Sequence, residues 1–201
     1  RGLRLCPPRN APILAYDARG LRLAAGTPSL DLAGELAGTA IRIESGPVGF
    51  AWPGNLSARD LDISLGPVEE ANRFRVSQVG ATLGSAIEGT FADADVALFA
   101  VPLDLRETRG RWRYAGGVFA IEDGAFVLED RSEQDRFRPL VARGARLALE
   151  DNVIRADALL REPRSDRAVV DVAIVHDLAR GAGHADLDVD ALRFDEALQP
   201  D

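Results

Sequence analysis

The stretch Asp60-Leu61-Asp62-Ile63-Ser64-Leu65 alternates polar and apolar residues with a strict period of two. Successive side chains of a β-strand point to opposite faces of a sheet, so this pattern is typical of a half-buried strand. The 3.6-residue period of an amphipathic helix is not found in any window of about 11 residues or more. The sequence therefore predicts an all-β chain. The same alternation recurs in segments 29–36, 101–105, 145–149, 154–158 and 185–189.

Turn-forming residues separate the alternating segments at short intervals. Ser45-Gly46-Pro47, Gly66-Pro67, Gly116-Gly117 and Asp151-Asn152 are of the kinds that favour tight turns between strands. Short connections join strands that lie antiparallel to each other. We therefore expect an antiparallel meander of many short strands, with little or no helix, over a single unit of residues 1–201.

Four local predictions follow from the same patterns. Asp123-Gly124 is predicted to form a tight two-residue hairpin turn, because both residues tolerate the positive φ that such turns need. Residues 92–100 interrupt the alternation and are a candidate for one short helix. The mostly polar residues 131–138, and residues 162–167 around Pro163, are predicted loops.

Composition excludes several classes of function. All 24 basic residues are arginine, and the absence of lysine excludes a Walker A phosphate loop and Schiff-base chemistry. The net charge of −8 argues against nucleic acid as a partner. The single cysteine, Cys6, cannot form an internal disulfide. The longest apolar run, residues 96–101, is much shorter than the roughly 20 residues of a membrane-spanning helix.

The polar residues show no arrangement that indicates catalysis or metal binding. His176 and His184 could join Asp177 and Asp186 as metal ligands, but two imidazoles on a turn lack the preorganised spacing of known zinc motifs. The sequence contains no G-x-S-x-G nucleophile motif. We therefore predict no catalytic residue, no metal and no cofactor, and a protein that is not an enzyme.

The apolar face of the predicted sheet needs a cover. An antiparallel sheet can close into a barrel, stack as a sandwich, or curl into a trough that holds an apolar ligand. Soluble monomers rarely expose large apolar patches, so composition alone favours the two closed arrangements. All three arrangements remain open at this point.

Short motifs near the two ends carry a family resemblance. Gly2-Leu3-Arg4-Leu5-Cys6-Pro7 stands near the start, and Val175-His176-Asp177-Leu178 is followed by Gly181-Ala182-Gly183-His184-Ala185. The chain then ends with Leu192-Arg193-Phe194 and Leu198-Gln199-Pro200-Asp201. These segments resemble the YdbH-like family of the AsmA-like and TamB-like superfamily, also filed as a "dicarboxylate transport" domain.

The resemblance implies a fold and a function. Members of this superfamily are periplasmic bridges that carry phospholipid between the inner and outer membranes along a long, curled β-sheet with an apolar concave face. It also implies that this chain is an internal segment, with an inner-membrane anchor outside it and an outer-membrane lipoprotein as a partner. The alternative is a closed β-sandwich without lipid that serves as a structural module or binds protein or carbohydrate. On the bridge hypothesis, phospholipid acyl chains contact a groove lined by Leu30, Leu32, Leu36, Ile41, Ile43, Phe50, Trp52, Leu61, Ile63, Leu65, Leu103 and Leu105.

Overall fold

A computed structural model of the chain describes residues 14–17, 20–36, 38–52, 54–99 and 101–189. All regular structure within these ranges is β-strand, so the predicted all-β class is confirmed. The strands are β1 Leu14–Asp17, β2 Gly20–Thr27, β3 Leu30–Leu36, β4 Thr39–Ser45, β5 Val48–Ala51, β6 Asn55–Leu65, β7 Asn72–Leu83, β8 Ile87–Ala97, β9 Leu103–Ala115, β10 Val118–Asp130, β11 Leu140–Glu150, β12 Val153–Arg161, β13 Ala168–Asp177 and β14 Ala182–Asp188.

The fourteen strands form one antiparallel sheet. From β6 to β14, each strand pairs with the strand that follows it in the chain, which confirms the predicted meander. At the other end, β4 and β5 pair with the two halves of β6, β3 pairs with β4, and β2 pairs with β5. The described pairings do not join β1 to β14, so the sheet is open.

A line of irregular residues crosses the sheet and is called the crease here. Asp60 in β6, Asp93 in β8, Glu107 in β9 and Asp123 in β10 each have a φ of 52°, and Gly144 in β11 has a φ of 75°. Register shifts accompany the crease in the β8–β9, β9–β10, β10–β11 and β11–β12 pairings. Bulged residues bend a strand and increase its twist, so a row of them folds the sheet along one line.

The crease also changes which residues of a strand face the same side. In β10, Phe119 and Ile121 precede Asp123, whereas Phe126 and Leu128 follow it. The extra residue of the bulge at Asp123 moves the apolar residues from odd-numbered to even-numbered positions. These four apolar side chains therefore stay on one face although the strand bends.

Two local predictions are wrong for this reason. Asp123-Gly124 is a bulge inside the continuous strand β10 rather than a hairpin turn. Residues 92–97 belong to strand β8 rather than to a helix, because the positive φ of Asp93 interrupts an alternation that continues on either side. In both segments, the bulge residue interrupts the period of two, and the alternation resumes after it.

The two rims of the sheet differ in their connections. The rim called the turn rim holds the short turns after β7, β9, β11 and β13. The opposite rim, called the loop rim, holds the longer connections after β6, β8, β10 and β12. The predicted loops at residues 131–138 and 162–167 are confirmed, and both lie on the loop rim.

Glu162 holds the connection between β12 and β13 in place. Its carboxylate is buried and accepts hydrogen bonds from the backbone N–H groups of Arg164, at 3.0 Å, and Ser165, at 2.5 Å. Hydrogen bonds from Ser165 and from the Arg164 backbone lower the pKa of Glu162 from 4.5 to about 2. The ionised carboxylate therefore stabilises this loop.

We predict that glycine is tolerated at position 93 and that valine is not. The left-handed conformation of Asp93 suits glycine but is strained for a β-branched side chain. Asp93→Gly should stay within about 1 kcal/mol of the wild type, and Asp93→Val should lose about 1–3 kcal/mol in urea unfolding. Thr90→Val, on an exposed position of the same strand, is the control and should cost little. Equal stability of the two valine variants would contradict the role of the crease.

We further predict an acid-dependent contribution from Glu162. A carboxylate whose pKa is depressed in the folded protein stabilises it above the unfolded pKa, and this contribution is lost as the pH falls through the folded pKa. The difference in melting temperature between wild type and Glu162→Gln should therefore be constant above about pH 4.5 and vanish toward pH 2. Exposed Glu133→Gln is the control. A difference that stays the same from pH 7 to pH 2 would refute the assignment.

Candidate functional site

One face of the sheet carries an unbroken apolar row on the loop-rim side of the crease. Direct cross-strand partners point to the same face, so the register identifies its members strand by strand. The row crosses eight strands, which corresponds to about 34 Å at about 4.8 Å per strand. This first row consists of Leu32, Ile43, Ile63, Phe74, Val96, Leu105, Leu128 and Leu140.

A second row runs along the same face on the turn-rim side of the crease. It crosses the sheet from β5 to β14 and contains no charged residue. The face that carries both rows is called the apolar face below. The second row consists of Phe50, Leu56, Ala81, Gly89, Trp112, Ile121, Leu147, Ala156, Ile174 and Ala185.

The Trp112 ring of the second row packs against a neighbouring strand and a second aromatic ring. The Trp112 indole lies against Gly89 of the neighbouring strand, where a β-carbon would be only 2.8 Å from Nε1. Trp112 also contacts Phe119, with 6.1 Å between the ring centroids. Because Gly89 has no side chain, the indole can lie close to the backbone of the neighbouring strand.

The opposite face is charged and is stabilised by cross-strand ion pairs. Arg75 Nε lies 3.5 Å from Asp62 Oδ2. Arg106 lies between two neighbouring strands, with Nη1 3.5 Å from Asp95 Oδ2 and Nε 3.6 Å from Glu129 Oε2. Exposed ion pairs of this kind contribute little stability each, so their main effect is to keep this face in water.

Within the described residues, no second sheet or helix covers the apolar face. No large hydrophobic side chain among the described residues is fully buried. Leu32 is 48% exposed and Leu187 is 64% exposed, although both belong to the apolar face. In β4 the two isoleucines are half-buried and the charged residues are exposed, as expected for a sheet that curls toward its apolar side.

The structure brings most of the predicted groove residues together. Leu36 lies at the end of β3, where its backbone pairs with Thr39, and Trp52 lies in the connection after β5 and is 51% exposed. The other ten predicted residues share the apolar face: Leu30, Leu32, Ile41, Ile43, Phe50, Leu61, Ile63, Leu65, Leu103 and Leu105.

The predicted groove residues include none from β7, from β8 or from β10 to β14, although these strands also contribute to the apolar face. The signal was present in the sequence, because these strands also alternate on each side of the crease. Members that were missed include Phe74, Val96, Ile121, Leu147 and Ile174.

The face is covered by the chain itself in one place. Leu140, Ala142, Ala145 and Leu160 form a cluster of buried residues on β11 and β12. Phe137, from the connection between β10 and β11, packs against this cluster. The chain therefore covers its own apolar face locally, between β10 and β13, although the sheet itself is open.

Asp130 fixes the base of that connection. Its side chain is fully enclosed and accepts hydrogen bonds from Arg136 Nε at 2.7 Å, from the Arg136 backbone at 2.8 Å and from Ser132 Oγ at 2.7 Å. The Arg136 guanidinium, helped by Ser132, holds the pKa of Asp130 well below its usual range. The carboxylate is therefore ionised at physiological pH, and its hydrogen bonds hold it in place.

The histidines do not form a common site. His176 pairs with Gly183 on the apolar face, whereas His184 belongs to the charged face, with Nε2 3.9 Å from Asp186 Oδ2. No group of three or more metal-binding side chains occurs in the part of the chain that the structure describes. The same residues include no helix long and apolar enough to cross a membrane.

Comparison with known proteins identifies the family. Residues 3–201 match the YdbH-like family, whose description is intermembrane phospholipid transport protein YdbH. No curated protein and no solved structure was found to match the chain. The end segments at residues 2–7 and 192–201, including Cys6, lie outside the described residues but almost entirely within the matched range. Because the match spans nearly the whole chain, the protein belongs to the YdbH-like family of intermembrane phospholipid transport proteins.

Proposed function

We propose that this chain is a lipid-conducting segment of a bridge-like protein, and that phospholipid acyl chains move along its apolar face. The observation that carries the proposal is the pair of apolar rows, which cross the open sheet without a charged residue. The family role in phospholipid transport supports lipid as the occupant.

The energetics of transfer explain why such a face is useful. Exposing hydrocarbon to water costs about 0.8 kcal/mol per methylene, so two chains of about 15 carbons cost on the order of 24 kcal/mol. An apolar face shields the acyl chains while the polar head group stays in water at the open side. The crossing from one membrane to the other then avoids this cost.

Passage requires weak and repeated contacts. The first row offers an aliphatic or aromatic side chain at each of its eight strands, about 4.8 Å apart, so neighbouring positions along it are similar in energy. A lipid that leaves one position therefore finds an equivalent one at the next strand. No step of this process needs a catalytic residue or a cofactor, and we propose that the segment is not enzymatic.

The family role also supports a location and an arrangement. A protein that transports phospholipid between two membranes works in the space between them, and this supports a periplasmic location for the segment. We propose that residues 1–201 form a single groove segment of a longer protein. Its inner-membrane anchor would lie outside this chain, and an outer-membrane lipoprotein would assist at the far end.

We predict that a charge on the apolar face abolishes lipid binding. Ile63→Asp places a carboxylate in the centre of the first row, where an acyl chain would have to desolvate it. Phospholipid bound by the protein, measured by native mass spectrometry with phosphatidylethanolamine, should fall about tenfold or more, which corresponds to at least 1.4 kcal/mol.

Ser64→Asp is the matched control. Ser64 is the next residue of the same strand and faces the charged side, where its cross-strand partners are Arg42 and Arg73. This variant should bind lipid as the wild type does, and both variants should retain the circular dichroism of a β-sheet. A wild-type protein that binds no phospholipid would favour the alternative of a structural or protein-binding module.

A further inference from the structure

The cover over the apolar face is uneven along the proposed lipid path. Through β3 to β9, the described residues place no second layer over the first row. At β10 and β11 the same row reaches Leu128 and Leu140, and Leu140 is only 5% exposed. Phe137 is the side chain from outside the sheet that packs on this end of the row.

The segment that carries Phe137 is firmly anchored. We call residues 131–139 the flap; they connect β10 to β11 on the loop rim. Asp130 pins Ser132 and Arg136 from below, as described above. Arg131 ties the flap to the preceding loop, because its backbone N–H donates to Pro102 O at 2.8 Å and its Nη2 to Leu98 O at 2.6 Å.

The second row is not covered in the same way. Ile121 and Leu147 are half-buried, and Ile174 is 39% exposed. These residues lie on the turn-rim side of the crease, away from the flap. Between β10 and β13, the second row is therefore more accessible than Leu140 and Leu160, which are each 5% exposed.

We propose that Phe137 occupies the place of an acyl chain on the first row, and that it diverts lipid onto the second row between β10 and β13. Phe137 is thus a residue that determines where the path runs. The inference rests on the proposed function, since it presupposes that acyl chains lie on the apolar face. The inference adds that the flap narrows the lipid path on the apolar face between β10 and β13.

Photolabelling of the full-length protein tests the inference. A phosphatidylcholine with a diazirine at the end of one acyl chain is bound, activated by light, and the labelled residues are mapped by tandem mass spectrometry. Label is expected around Ile63 and Leu147, and at least tenfold less is expected around Leu128 and Leu140. In Phe137→Ala, label around Leu128 and Leu140 should rise to the level seen at Ile63.

Phe119→Ala is the matched control, because it removes the same ring from the apolar face at a position away from the flap. It should leave the label around Leu128 unchanged. If Phe137→Ala does not fold, the shorter side chain of Phe137→Leu serves in its place, and the wild-type pattern decides by itself.

The outcomes separate the inference from the proposed function. Equal wild-type label around Leu128 and Leu147 would overturn the inference and leave the proposed function intact. An unchanged pattern in a folded Phe137 variant would also overturn it. Absence of label from the whole apolar face, Ile63 included, would refute the proposed function itself.

Discussion

The structure depends on one constraint, which is that the two apolar rows stay on the same face of the sheet although the sheet bends along the crease. A bulge adds one residue to a strand and exchanges the faces of the residues that follow it. A strand with strict alternation along its whole length would therefore turn its apolar residues to the other face at the bulge. The sequence avoids this exchange because its alternation shifts by one residue at the crease. Asp93 and Asp123 supply the left-handed conformation there, and asparagine and aspartate are the side chains that adopt it most readily after glycine.

Stability in such a sheet comes mainly from the strand pairings. The described residues contain one small buried cluster around Leu140, so most apolar side chains stabilise the fold through cross-strand contacts instead of through a closed core. The last strand, β14, is exposed along its whole length, and its Asp188 lies directly opposite Asp171. Like charges in direct opposition weaken a pairing, and charges on an edge strand also discourage association with other sheets.

The sequence predicts the strands and the polarity of the faces well, and it fails where the period changes. Ile43, Ile63 and Leu105 lie on the apolar face, as the alternation of their strands predicts. Asp123-Gly124 was misassigned as a turn because a bulge and a hairpin require the same backbone conformation at these residue types. The cover by Phe137 could not be predicted, because it depends on how a polar loop folds back over strands that precede and follow it.

The proposed function places unusual demands on the sequence. An enzyme site requires particular side chains within tenths of an ångström, whereas a path for hydrocarbon requires only that apolar residues recur on one face. Leucine, isoleucine, valine and phenylalanine are nearly interchangeable for that purpose at positions such as Leu61 or Val76, as long as the alternation and the crease are kept. The positions that demand a particular residue are instead those that shape the face: Gly89 beneath the Trp112 indole, Asp93 in the crease, and Asp130 under the flap. On the proposed function, the shape of the apolar face is therefore determined by a few polar and glycine residues, while the residues of the two apolar rows contribute mainly their lack of polarity.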